Sequence, residues 1–388
     1  MRLLPKPSEK QRHNSGMYQS LKAFYHASLK VGGHLAMYRF PHLKTIQGIC
    51  SAQLSTELKN NTGFIIHGFS PQDPAHLITP EVTFKYDDSF ELKVELSNTF
   101  TNSFEALFDN YLKSNEVPQN EPLVPNDNPE ACSYEHYVNA IHNAQLLMNV
   151  GKLKKVVLSR IAWKNYANTK DIIQIYLGLC EKYPNAFVSL ISSPIYGTWL
   201  GASPELLLQQ STISYTTVAL AGTRKSKSII PFTNKELEEQ EIIRKYIEEN
   251  LNTIGIQCDF NPIENFDTGE LTHLKTTIQF NTDASKRFEV ASLLHPTPAV
   301  GGVPKLSALE FILENERYQR KLYAGYIGVI GINDMQLYVN IRCMQWYASS
   351  ALLYSGAGIT QASDAHSEWI ETENKLDVIG SVLTSIVK

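Results

Sequence analysis

The alternation of apolar and polar residues predicts a chain built mainly of strands, with helices between groups of them. Strand-like runs before residue 114 lie at 34–40, 62–69 and 89–96. Later runs lie at 155–163, 186–192, 198–203, 205–210, 213–222, 271–280, 323–332, 335–346 and 351–358. Neighbouring strand runs without strict strand–helix alternation indicate an α+β fold with large, mainly antiparallel sheets covered by helices.

Segments in which apolar residues recur at helical spacing lie between these strand runs. A helix predicted at 133–152 begins with a serine N-cap and ends at a glycine. Further helices are predicted near 171–183, 234–254, 286–294 and 306–317, with a last one that contains 367–375. The stretch 114–132 is rich in proline and asparagine, so we expect a loop there.

Composition limits the possible classes of protein. With 388 residues, 43% of them hydrophobic, the chain can build one large domain or two smaller ones. A formal charge of −4 gives no general attraction to nucleic acid or anionic lipid. Five scattered cysteines indicate neither a disulfide framework nor a zinc site, and no apolar run approaches the ~20 residues of a membrane helix. We expect a soluble cytoplasmic protein.

Two charged residues at strand ends are candidates for acid–base chemistry. Glu205 follows a Ser-Pro turn and precedes an apolar strand, where burial would raise its pKa and keep a proton available. Lys155 begins a strand that reads as buried, where desolvation would favour the neutral amine. Taken alone, the segment of Glu205 favours a solvated edge-strand carboxylate, and that of Lys155 favours a surface lysine whose stem is buried.

Acidic residues on two helices are candidates for a metal site. Glu368, Glu371 and Lys375 are spaced i, i+3, i+7 and therefore share one helix face. The helix that follows residue 233 carries a cluster of glutamates at 236–241, most of which must be solvated. One of them, together with carboxylates from elsewhere, would suit Mg²⁺. Glycine-rich turns at "ALAGTRK" and "LYSGAGIT" would let backbone N–H groups approach an anion.

An ordered set of motifs between residues 155 and 375 resembles the chorismate-utilising enzymes: isochorismate synthases, salicylate synthases, anthranilate synthase large subunits and aminodeoxychorismate synthases. The motifs are "KVVLSR", "GASPE", "LAGTR", "THL", "LHPTPAVGG", "ERYQRKLYAG", "VNIR", "SGAGI" and "EWIETENK". The resemblance implies the aminodeoxychorismate synthase-like fold, in which two large antiparallel sheets stack and helices lie outside. Residues 1–388 would form one α+β domain, with 1–130 as its variable half and 131–388 as the chorismate-binding catalytic region.

The same resemblance implies a Mg²⁺ site and a chorismate pocket. Glu371, Glu239 and, directly or through water, Glu368 would bind the metal, although Gln240 stands where a histidine often follows the metal glutamate. The register of the 236–241 cluster is therefore open. The residues that would hold chorismate are Arg342 and Lys375 at its carboxylates and Gly222, Thr223, His273, Ala299 and Gly356 around its ring and side chain.

Two positions indicate the reaction. Lys155 stands where isochorismate and salicylate synthases have a lysine that activates water, whereas ammonia-using members usually have glutamine. Ala221 stands where aminodeoxychorismate synthases carry a nucleophilic lysine. The resemblance therefore implies addition of water at C2 of chorismate and loss of the C4 hydroxyl, giving isochorismate. A neutral Lys155 would be the base and a protonated Glu205 the acid.

Chorismate is the expected small-molecule partner. Because water is the expected nucleophile, we expect no glutamine amidotransferase subunit, and the resemblance implies a monomer. A salicylate synthase, which would also eliminate pyruvate from isochorismate, remains an alternative, as does a chorismate-binding protein without catalysis. The sequence leaves open whether isochorismate would serve menaquinone or siderophore biosynthesis.

Overall fold

A computed structural model of the protein describes residues 9–87, 89–113, 123, 128–166, 171–226, 231–267 and 271–385. The helices in this part are α1 (Glu9–Lys30), α2 (Thr99–Lys113), α3 (Tyr134–Asn149), α4 (Ile172–Lys182), α5 (Asn234–Thr253), α6 (Arg287–Leu294), α7 (Lys305–Asn315), α8 (Ala365–Gly380) and α9 (Val382–Ser385). The strands are β1 (His34–Arg39), β2 (Ile46–Ser51), β3 (Leu54–Ser55), β4 (Gly63–His67), β5 (His76–Ile78), β6 (Val82–Tyr86), β7 (Phe90–Val94), β8 (Lys155–Asn165), β9 (Phe187–Ser193), β10 (Gly197–Ser203), β11 (Leu206–Ser211), β12 (Ser214–Lys225), β13 (Asp259–Phe260), β14 (Glu264–Asp267), β15 (Leu271–Asn281), β16 (Gly302–Val303), β17 (Tyr326–Ile330), β18 (Asp334–Val339), β19 (Cys343–Trp346) and β20 (Ser350–Ile359).

These strands form two large sheets, and neighbouring strands within each are antiparallel. Sheet A has the order β16-β8-β20-β19-β10-β9-β1-β2-β6-β7. Sheet B has the order β13-β15-β12-β11-β18-β17-β4-β5-β3, with β14 paired to β15. Strands from before residue 95 extend both sheets, since β1 pairs with β9 and β4 with β17. The predicted α+β fold with two large antiparallel sheets is confirmed.

The two sheets face each other across an aromatic core. Phe187 of β9 stacks on Tyr338 of β18 with ring centroids 4.3 Å apart, and Tyr38 of β1 lies 5.4 Å from Phe64 of β4. Side chains that alternate with these on sheet A, such as Met37, pack instead against helices on its outer face. Because successive strand residues point to opposite faces, both faces of β1 are buried. The apolar runs of this sheet are continuous for that reason.

The predicted strand at 335–346 is wrong in one respect. The run is two strands, β18 in sheet B and β19 in sheet A, separated at Asn340–Arg342. Arg342 has φ 49°, in the left-handed region that residues other than glycine seldom adopt. The chain turns there from one sheet to the other. The run at 323–332 is likewise shorter than predicted, because β17 begins at Tyr326.

The helix predicted at 133–152 is α3, which Ser133 caps by accepting a hydrogen bond from the His136 N–H. The last helix predicted from the sequence is α8, whose N-cap is Asp364 and whose Val378 and Ile379 are buried, as is Val382 in the short helix α9 that follows. Most of the loop predicted at 114–132 lies outside the described residues. In the described segments, no helix combines the length and apolar character needed to cross a membrane.

Candidate active site

An open cavity of about 970 Å³ lies where the ends of strands from both sheets meet, close to α5 and α8. This volume includes the solvent at the open mouth of the cavity. The antiparallel pairing brings the start of β8 and the end of β20 to this place from sheet A, and the end of β12 and the start of β15 from sheet B. The predicted site residues that line it are Glu205, Gly222, Glu239, His273, Ala299, Arg342, Gly356, Glu371 and Lys375.

Glu205 lies at the link between β10 and β11, which crosses from sheet A to sheet B. Its N–H donates to Ser203 Oγ at 3.2 Å, and its carboxylate accepts a hydrogen bond from Thr297 Oγ1 at 3.4 Å. Only 4% of the residue is exposed. Burial raises the pKa of this carboxyl to about 7, although nearby Lys155 and the Thr297 hydrogen bond act in the opposite direction. Glu205 therefore carries a proton at neutral pH in a substantial fraction of molecules.

Lys155 is fully buried at the first position of β8 and forms an ion pair with Glu239. The distance from Lys155 Nζ to Glu239 Oε1 is 2.7 Å, and the glutamate side chain keeps 17% exposure at the cavity wall. Glu239 and Gly358 stand between the amine and the cavity. The Lys155 amine therefore contacts a carboxylate, and Lys155 is not among the residues that line the cavity.

The register of α5 decides which glutamates face the cavity. Gln240 is buried and donates to the Ala219 carbonyl and to Thr276 Oγ1, which fixes the helix against sheet B. Glu239 and Glu236 consequently line the cavity. The other two glutamates of the cluster lie elsewhere: Glu238 is exposed, and Glu241 is half-buried in an ion pair with Arg244.

Glu371 and Lys375 of α8 form another part of the cavity wall. Lys375 Nζ lies 2.7 Å from Glu371 Oε1 and donates to the Gly356 carbonyl at 2.9 Å. Glu368, one turn earlier, is buried and does not line the cavity. Across the described ranges, no three His, Cys, Asp or Glu side chains form a group that could hold a metal ion. The carboxylates predicted to bind Mg²⁺ are thus near one cavity but not gathered into one cluster.

Arg342 reaches the cavity from the break between β18 and β19. Its Nη2 donates to His273 Nε2 at 2.6 Å, and the other ring nitrogen of His273 lies 2.8 Å from the Gly222 carbonyl. Gly222 has φ +63°, and a Cβ there would come within 3.0 Å of Glu236 Cβ. Thr223 follows it in β12, and the threonine side chain lies outside the described part of the structure.

Several lining residues were not predicted from the sequence. Tyr323 and Tyr354 stack with ring centroids 5.3 Å apart and form an aromatic wall, which Val157, Val300 and Ile341 extend. Tyr323 lies within the "ERYQRKLYAG" motif, which was the available signal. The wall and the cations suit a small, planar, anionic molecule, and Glu205 can supply it with a proton.

Comparison with known proteins agrees with this chemistry. The family model described as "Chorismate binding enzyme" matches residues 72–384. The chain is 27% identical over 328 residues to isochorismate synthase EntC of Escherichia coli K12, covering 81% of this chain and 79% of that protein. It is 25% identical over 353 residues to isochorismate synthase MenF of Haemophilus influenzae, covering 86% and 81%. Its fold matches the structure of MenF, the menaquinone-specific isochorismate synthase from Escherichia coli, with a TM-score of 0.76 at 20% identity over 93% of this chain and 91% of that one.

Proposed function

Because the chain belongs to the chorismate-binding enzyme family, we propose that it is an isochorismate synthase, an isomerase that converts chorismate to isochorismate. The observation that carries the proposal is the buried Glu205, whose pKa of about 7 suits a general acid, in a cavity that also holds Arg342 and Lys375. Relatives that carry the name isochorismate synthase support the same reaction.

In the proposed reaction, water adds to C2 of chorismate, the ring double bond shifts, and the C4 hydroxyl leaves. Protonated Glu205 gives its proton to the departing hydroxyl, which leaves as water. Lys155 takes a proton from the attacking water, so that one water enters and one departs. An acid with a raised pKa supports this division of roles.

Lys155 can act as a base only as the neutral amine, so its ion pair with Glu239 must first open and the proton of the pair must be released to the solvent of the cavity. The lysine is fully buried, whereas the side chain of Glu239 borders the cavity. The glutamate is therefore the group that moves. We therefore assign Glu239 two positions, one against Lys155 in the free protein and one away from it during turnover. Arg342 and Lys375 would bind the two carboxylates of chorismate, Arg342 through its planar fork.

Mg²⁺ would be held by Glu239 and Glu371, with Glu368 directly or through water. The donor set supports this assignment, because Glu239 and Glu371 line one cavity from two helices, and carboxylate oxygens are the ligands that Mg²⁺ prefers. A bound Mg²⁺ supplies positive charge against the dianionic substrate. In the structure, Lys155 forms an ion pair with Glu239, and Lys375 forms one with Glu371.

The test is to incubate the purified protein with chorismate, without ammonia or a partner subunit, and to identify products by chromatography with Mg²⁺ or with EDTA. Isochorismate that forms with Mg²⁺ and not with EDTA supports the proposal. Salicylate with pyruvate would move the chain to the salicylate synthase branch. Unchanged chorismate, with binding retained, would favour a non-catalytic chorismate-binding protein. The pathway that uses isochorismate, menaquinone or siderophore, requires a separate growth experiment with a deletion strain.

A further inference from the structure

The tautomer of His273 is fixed by its two neighbours. A guanidinium group has donors and no acceptor, so Arg342 Nη2 at 2.6 Å requires an unprotonated Nε2 on His273. The ring hydrogen is then on Nδ1, which donates to the Gly222 carbonyl at 2.8 Å. Burial and the neighbouring Arg342 charge hold the pKa of His273 well below its usual range. The ring is therefore neutral, with its acceptor directed at Arg342.

Irregular backbone on β12 supplies the carbonyl that fixes this ring. Ala221 pairs with Leu274 and Arg224 with Thr272, so two residues of β12 stand opposite His273 alone. Such a bulge turns backbone groups out of the regular ladder and is common beside active sites. Gly222, at φ +63°, belongs to the bulge, and its carbonyl meets the histidine.

The backbone of Arg342 is fixed as firmly as its side chain. It lies at φ 49° in the crossing between the sheets, and its carbonyl accepts a hydrogen bond from the Ala202 N–H at 3.1 Å. Its guanidinium is buried and lines the cavity. A planar fork binds a carboxylate well only when its plane is set beforehand, because two hydrogen bonds must form together.

We propose that His273 is a positioning residue, which orients the Arg342 guanidinium for the carboxylate of the substrate through the acceptor at Nε2. This role rests on the proposed function and deepens it: the sequence resemblance assigns His273 to the pocket wall, whereas here its Nε2 is directed at Arg342. The structure thus gives a chain of three groups, from the Gly222 carbonyl through His273 to Arg342, that ends at the anion.

Two conservative variants separate the contact of His273 with Arg342 from its contact with the Gly222 carbonyl. Glutamine places its amide near the Nε2 position, so His273→Gln keeps an oxygen acceptor for Arg342. Asparagine places its amide near the Nδ1 position, so His273→Asn keeps the donor to the Gly222 carbonyl and loses the acceptor. We expect His273→Asn to weaken chorismate binding, measured by calorimetry with Mg²⁺, by about tenfold to a hundredfold, as for one hydrogen bond to a charged group. His273→Gln should stay within about threefold of wild type, as expected where only a neutral hydrogen bond is lost.

A double-mutant cycle distinguishes positioning from direct contact with substrate. If His273 acts through Arg342, His273→Asn has no further effect on chorismate affinity in an Arg342→Gln background. Equal losses for the Asn and Gln variants, or additive losses in the cycle, overturn the proposal.

The tautomer can be read without any substrate, which keeps this inference separate from the proposed function. In ¹⁵N-histidine-labelled wild-type protein, a long-range ¹H–¹⁵N correlation should show His273 with hydrogen on Nδ1, the signal being assigned by its absence in His273→Asn. Hydrogen on Nε2, or on both nitrogens, overturns the proposal. Wild-type protein that fails to bind chorismate would contradict the proposed function. The tautomer alone would then test whether His273 accepts a hydrogen bond from Arg342.

Discussion

Two buried ion pairs in this protein differ in how completely their groups are bound. Arg320 and Glu316 form a pair with 1% and 4% of their side chains exposed, and all three guanidinium nitrogens of Arg320 donate, to Glu316 and to the carbonyls of Val157 and Val300. Glu316 also accepts from the N–H and hydroxyl of Ser159. The pair joins the "AVGG" loop to β8.

The pair of Lys155 and Glu239 has a different environment. Its lysine is as deeply buried as Arg320, but its glutamate borders the cavity and keeps 17% exposure. A buried pair enclosed by further hydrogen bonds is costly to open, whereas a pair with one partner at a cavity can open when another charge arrives. From this comparison we propose that Arg320–Glu316 has a structural role at the site and that Lys155–Glu239 takes part in its chemistry.

The largest expected effect is on turnover. Lys155→Met removes the proposed base, and we expect turnover of chorismate to fall about 10²- to 10⁴-fold, the contribution typical of a positioned acid or base. Lys154→Met, at the exposed neighbouring position, is the matched control and should keep wild-type turnover. Near-normal turnover in Lys155→Met would remove the lysine from the mechanism.

The enclosed pair should respond in stability instead. Arg320→Met leaves Glu316 buried without its cation, and we expect the free energy of unfolding to fall by about 3–5 kcal/mol. Urea unfolding measures this, with exposed Arg317→Met as the control. If Arg320→Met unfolds at the wild-type urea concentration, the pair does not have the structural role assigned to it.

Glu205 extends the comparison to a buried carboxyl that accepts a hydrogen bond from Thr297. Its pKa is about 7 in the folded protein, against an ordinary value of 4.5, so the folded state holds the proton more tightly than the unfolded chain does. Stability from this group is present below about pH 4.5 and is lost as the pH rises through about 7, by about 3 kcal/mol at 1.36 kcal/mol per unit.

The Glu205→Gln variant has no carboxyl to ionise at this position, so it does not lose this stability as the pH rises. Relative to wild type, the variant should gain unfolding free energy between pH 5 and pH 8, while its turnover collapses because the acid is gone. Wild-type kcat/KM should also decline above about pH 7 as Glu205 ionises. A stability difference that does not change with pH would contradict the raised pKa.

The smallest expected effect comes from a methyl group added next to the Lys155–Glu239 pair. A Cβ at Gly358 would lie 2.5 Å from Glu239 Oε1 and 3.1 Å from Lys155 Cε. Gly358→Ala should therefore crowd the Lys155 side chain, move its amine from the position that a base needs, and lower turnover by about tenfold, equal to about 1.4 kcal/mol. Gly16→Ala on α1, where a Cβ meets no atom within 4 Å, is the control. Unchanged turnover in Gly358→Ala would contradict the claim that turnover depends on the exact position of the Lys155 amine.

Much of the strand order after residue 133 was predictable from the sequence, because both faces of most strands are buried and their apolar runs are long. The break at Asn340–Arg342 was not, since apolar residues continue on both sides of it and composition does not signal a left-handed arginine. The helix α1 was also missed. Its apolar residues, such as Leu21 and Phe24, face the outer side of sheet A, but two prolines and a polar start precede them.

The sequence indicated most of the residues that line the cavity, but it did not indicate how they are arranged. The resemblance implied Glu205 and, with its register open, Glu239. The contact of Glu239 with Lys155 depends on where α5 lies relative to β8, which local patterns do not specify. Thr297 lies within "LHPTPAVGG" and Tyr354 directly before "SGAGI". Neither segment signals that Thr297 donates to Glu205 or that Tyr354 lines the cavity. Tertiary packing decides these contacts.

The most direct test of the central claim is a crystal structure of the Glu205→Gln variant with chorismate and Mg²⁺. The variant should bind substrate and fail to convert it. We predict that Glu239 has left Lys155 in that complex, while Arg320 and Glu316 keep the contacts described here. A Lys155–Glu239 distance still near 2.7 Å with chorismate bound would contradict the account, since the lysine would then have no means to accept a proton.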